Sequence, residues 1–97
     1  MIVLWMILCR DRPDSATLRQ STRADHLRYI EPLVEQGRLR FAGPLLREDT
    51  EGAARGSLII ADFDDRAAAE GWAAGDPYAC AGLFAEVEIS ALRQALP

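Results

Sequence analysis

Apolar and polar positions follow two rhythms along this chain. From Ile2 to Cys9 every residue is apolar, the pattern of a strand buried on both faces. It ends at the turn-like cluster Arg10-Asp11-Arg12-Pro13. Asp14 or Ser15 can then cap a helix reaching Gln36, in which Leu27, Ile30, Leu33 and Val34 make an apolar stripe at helical spacing. Gly37 follows where a helix terminus favours positive φ. Pro32 removes a hydrogen bond and costs about 3 kcal/mol in a helix interior, so a kink or break is expected near Tyr29 to Glu31.

A second strand starts at Arg38, alternates Leu39 and Phe41 with Arg38 and Arg40, and is expected to turn irregular at Gly43-Pro44. The polar stretch from Arg47 to Arg55 reads as a hairpin loop, and Ser57 to Phe63 as a third strand. Asp64 or Asp65 caps a second helix whose Ala68, Ala69, Trp72 and Ala73 form a light apolar face ending at Gly75. After Asp76-Pro77-Tyr78 and a short turn, Phe84 to Leu92 forms the last strand, with Ala85, Val87 and Ile89 alternating with Glu86, Glu88 and Ser90. The order βαββαβ is the ferredoxin-like α+β arrangement. Strands one and three are apolar on both faces while two and four alternate, which predicts a four-stranded antiparallel sheet of order 4-1-3-2 with both helices on one face. The other apolar face would lie bare in a monomer, so a homodimer closing two sheets into a barrel is expected.

Composition narrows the function classes. Ninety-seven residues predict one domain, 1–97. Eleven basic against fifteen acidic residues give a net charge of -4 without any basic run, which argues against nucleic acid or an anionic membrane as partner. Cys9 and Cys80 lie far apart, as expected of free, buried thiols in a reducing, cytoplasmic setting. The opening apolar run lacks the flanks of a signal peptide and is too short to span a bilayer. One histidine cannot supply a typical zinc site, and no phosphate-binding glycine motif or nucleophile elbow is present.

That histidine, His26, falls with Arg19 and Arg23 on the side of the first helix that carries Ile30 and Val34, so a stripe that ought to be apolar becomes polar. These residues could lie in solvent beyond the sheet edge or bind backbone carbonyls; they could also form a site. Asp76 precedes Pro77 and can cap the short turn. Tyr78 and Ser57 read, on spacing alone, as a packed aromatic and a strand-start hydroxyl.

Taken together, Arg19-x-x-x-Arg23-x-x-His26-Leu27, Gly37, Leu39, Gly43-Pro44, Gly56-Ser57-Leu58, Asp76-Pro77-Tyr78 and Ala81-Gly82-Leu83-Phe84 resemble the YCII-related (YciI-like) family along nearly the whole length. The resemblance implies a dimeric α+β barrel, related in architecture to muconolactone isomerases. It implies His26 and Asp76 as a catalytic pair, and a family in which at least one member resembles a lyase removing HCl from a chlorinated hydroxyhydroquinone. A carboxylate on one imidazole nitrogen makes the other a usable base near neutral pH, and arginines can hold an anionic substrate or a developing oxyanion. The expectation is a cofactor-independent lyase or isomerase, without metal, acting on a small oxygenated molecule through His26 and Asp76, with Arg19, Arg23, Ser57 and Tyr78 as substrate contacts. The rival expectation is a ligand-binding or accessory domain that does not turn its ligand over.

Overall fold

A computed structural model describes residues 3–97; the expected strand start at Ile2 lies outside them. The elements are β1 (Leu4–Asp11), α1 (Ala16–Glu35), β2 (Leu39–Leu46), β3 (Ala54–Asp62), α2 (Arg66–Gly75), α3 (Pro77–Cys80) and β4 (Phe84–Leu92). The four strands form one antiparallel sheet in the order β2-β3-β1-β4, so the two strands that are apolar on both faces are the central ones. This is the ferredoxin-like α+β fold that the pattern of apolar positions predicts.

Side chains alternate between sheet faces. Trp5, Ile7 and Cys9 of β1 and Ile59 and Ala61 of β3 pack with Ile30 and Leu33 of α1 and with Ala69 and Ala73 of α2, forming the core beneath the helices. The opposite face carries Met6, Leu8, Leu58 and Ile60, all half-buried, and Phe41, which is 49% exposed. Apolar side chains in the middle of a sheet therefore remain open to solvent in one chain.

Several local expectations change. Helix α1 runs unbroken through Pro32; Pro32 lies in its last turn, and its carbonyl still accepts from the Gln36 amide at 3.0 Å. The buried stripe of α1 is His26, Ile30 and Leu33, whereas Leu27 and Val34 are 41% and 57% exposed. The buried face is thus turned by about one residue toward His26. Ser15 occupies the N-cap position of α1, but its hydroxyl donates to the Arg12 carbonyl at 2.6 Å and caps no helix amide. Strand β2 continues through Gly43-Pro44, paired with Leu58 and Ser57; its register shifts lie at Leu39/Phe41 and Leu45/Leu46 instead. As an edge strand it needs no ladder donor at Pro44. The β2–β3 loop is correspondingly shorter, because β3 begins at Ala54. Gly37 takes positive φ, 68°, and Asp65 caps α2 by accepting from the Ala68 amide at 2.8 Å, with Ala68 itself exposed.

Both cysteines are free, but only Cys9 is buried; Cys80 is exposed. Burial pushes the Cys9 thiol up to about 12, with the Asp76 and Asp11 carboxylates adding to the effect. Since the thiolate is the reactive species, iodoacetamide should modify Cys80 alone in the native protein and both thiols in denaturant. Mass spectrometry reads the count, and rapid native labelling of Cys9 would contradict this packing. No described helix is long and apolar enough to cross a membrane.

Candidate active site

His26 and Asp76 meet in the packing between α1 and the α2–α3 junction. His26 is on the buried stripe of α1, 7% exposed, and Asp76 is 2% exposed. Asp76 closes α2 and opens α3: its Oδ1 accepts from the Tyr78 amide at 2.9 Å, and Pro77 follows at the first helical position, where a missing amide costs nothing. The same carboxylate faces the imidazole. Nδ1 of His26 lies 2.8 Å from Oδ1 and 3.0 Å from Oδ2. Capping and contact with His26 are therefore one arrangement.

This contact selects a tautomer. A carboxylate only accepts, so Nδ1 carries the proton and Nε2 of a neutral ring is left with its lone pair. Nε2 has no hydrogen-bond partner among the described residues, and among those residues no fully buried side-chain nitrogen or oxygen lacks one. It follows that Nε2 keeps some solvent contact.

Tyr78 connects this pair to the arginines. Its ring stacks on His26, with centroids 4.0 Å apart and 22° between the planes, and Arg19 lies over it at 4.7 Å. Burial raises the Tyr78 phenol above its ordinary value, against the opposing pull of Arg19 and Arg23. Arg19 is bound in a fork by Asp11, Nε to Oδ2 at 2.7 Å and Nη2 to Oδ1 at 2.8 Å, and Nη2 also donates to the buried Ser57 Oγ at 2.9 Å. Burial works against the Arg19 charge, but the Asp11 contacts outweigh it and hold that pKa above its ordinary value.

A cleft of roughly 750 Å³ opens beside this cluster. Of the residues singled out from the sequence, Arg19, Arg23 and Tyr78 line it; His26, Asp76 and Ser57 sit behind them. Arg23 is exposed on α1. Asp11, which also lines the cleft, escaped the sequence reading because it falls in a cluster that resembles a turn. It is the last residue of β1, just past a register shift against β4, and that places its carboxylate opposite Arg19. The available signal was an acid ending an apolar strand shortly before an arginine-bearing helix face. Among the described residues, no group of three or more His, Cys, Asp or Glu side chains is placed to hold a metal ion.

Known proteins share this architecture. Protein YciI of Escherichia coli O6:H1 is 38% identical over 96 residues, which span 95% of this chain and 98% of that protein. The 5-chloro-2-hydroxyhydroquinone dehydrochlorinase from Burkholderia phenoliruptrix AC1100, solved in complex with 2,5-dihydroxybenzoquinone, matches with a TM-score of 0.87 and 29% identity over 95% of each chain. A Mycobacterium tuberculosis protein at 16% identity, with a TM-score of 0.55 over 100% of this chain and 98% of its own, shares the fold alone. The YCII-related domain matches residues 3–93, and this chain belongs to the YCII-related family.

Proposed function

We propose that this protein is a cofactor-independent lyase or isomerase that takes a proton from a small hydroxylated aromatic or lactone-like molecule, working as a homodimer. The observation that carries the reading is the buried imidazole with both Asp76 oxygens on Nδ1, at 2.8 and 3.0 Å, which leaves Nε2 as the acceptor. In an elimination, Nε2 takes the proton, the freed electron pair forms a double bond, and the leaving group departs with its own bonding pair. In an isomerisation the proton returns at another carbon. Arg19 and Arg23 would offset the charge that develops on a substrate oxygen, with Ser57 and Tyr78 as further contacts. The likeness to a dehydrochlorinase of a hydroxylated aromatic supports the substrate class.

Chlorinated hydroxyhydroquinones and unsaturated lactones should be offered to the purified protein without added metal or cofactor. Chloride release or a shifted double bond is expected with at least one of them. Binding without turnover across the whole set would favour the second reading, a non-catalytic ligand-binding domain. That reading has its own observation, since His26 and Asp76 do not line the cleft and Tyr78 stacks on the imidazole.

The homodimer rests on the half-exposed apolar sheet face around Met6, Leu8, Leu58 and Ile60. Burying such a face contributes about 25 cal/mol per Å². Light scattering at micromolar protein is expected to give about twice the 10.7 kDa of one chain; a stable monomer there would remove the barrel.

A further inference from the structure

The cleft differs in charge from the chain that forms it. The protein carries a net charge of -4, yet five arginines line the cleft against Asp11 and Asp14, and with Asp49, the partner of Arg47, the local balance is still +2. Two of the five arginines are already matched: Arg19 is held by Asp11, and Arg47 is paired with Asp49 at 2.7 Å. The other three are not. Arg12 donates to the Gly82 carbonyl at 2.9 Å and Arg55 to the Leu46 carbonyl at 3.2 Å, contacts that position a guanidinium without neutralising it. Neither these two nor Arg23 forms an ion pair among the described residues.

These three unmatched guanidinium groups reach the cleft from different elements. Arg23 comes from α1, Arg12 follows β1, and Arg55 stands near the start of β3. A single anionic group can be satisfied by one guanidinium fork. Further unmatched cations from separate elements call for a second charge on the same ligand, and a concave wall focuses their field. We propose that the cleft takes a small organic dianion, held between Arg23 on one element and Arg12 with Arg55 on the others. The inference rests on the cleft as the binding site of the reading above, and it adds a preference among that site's ligands for molecules with two ionised groups, with neutral phenols and lactones bound more weakly.

Calorimetric titration with terephthalate, benzoate and benzyl alcohol tests the assignment, because the three probes share one ring and differ in charge. At low salt terephthalate should bind about tenfold more tightly than benzoate, with benzyl alcohol weakest, and added salt should shrink the difference. Arg12→Gln and Arg55→Gln should each reduce the preference for terephthalate toward unity and leave benzoate binding nearly unchanged. Arg93→Gln, outside the cleft, should leave the preference intact. Equal binding of the three probes, no binding of any, or an unchanged preference in both cleft variants would overturn the proposal. None of the probes has a leaving group to eliminate, so the result is independent of turnover and of His26.

Discussion

Replacing His26 by alanine is expected to lower turnover of any substrate found by about 10²-fold to 10⁴-fold, the usual contribution of a positioned general base. The protein should still fold. His26→Ala leaves the Asp76 carboxylate without its imidazole at a 2%-exposed position, but Oδ1 keeps the Tyr78 amide. Because a buried carboxylate loses a partner, the resulting loss is about 3–5 kcal/mol, below most of the 5–15 kcal/mol that typical domains hold. His26→Asn provides the stricter comparison, since its amide nitrogen can still donate toward Asp76 while offering no base. Asp76→Asn should be milder, because the amide oxygen can accept from Nδ1 and from the Tyr78 amide, though the neutral side chain no longer supports charge on the ring. Full activity in either His26 variant would return this side chain to a packing role.

Gly56→Ala should produce the largest loss of stability. Gly56 is buried in β3 opposite Arg10, and a Cβ there would run into the backbone carbonyl oxygen of Cys9 and meet Leu45 Cδ1 at 3.1 Å. The obstacle is backbone on the other central strand, which a rotamer change cannot move aside, and overpacking of this kind costs about 3 kcal/mol. For a chain of this length that corresponds to a melting temperature lower by roughly 10–20 °C. Gly71→Ala makes the internal control: nothing lies within 4 Å of its added Cβ, and alanine in the interior of α2 should stabilise by about 0.5–1 kcal/mol. Similar melting temperatures for the two variants would contradict the close approach of β1 and β3 at Gly56.

The central position of β1 and β3 was legible because both are apolar on both faces, a demand that only a middle strand meets. The bounds of β4, Phe84 to Leu92, and the end of α2 at Gly75 were equally readable from alternation and a terminal glycine. Pro44 stays within β2 for a tertiary reason that the local sequence does not carry: a proline ends a central strand but not an edge strand whose unpaired side needs no amide. The helical stripe was misplaced by about one residue because Leu27 and Val34 are more hydrophobic than His26, although His26 is the one with a buried carboxylate to meet. At the site, the order of the short motifs groups His26, Asp76, Arg19 and Ser57, which the fold brings near one another. The fork between Asp11 and Arg19 was not legible, because it depends on the register shift that ends β1.

Asp76 fixes the neutral imidazole with Nδ1 protonated and Nε2 free to accept. Nitrogen-15 NMR of the imidazole measures this directly, and a single histidine in the chain makes the assignment unambiguous. The neutral ring is predicted to carry its proton on Nδ1 and to switch toward the other tautomer in Asp76→Ala. A ring protonated on Nε2, or a tautomer indifferent to Asp76, would contradict His26 as a base poised by this carboxylate.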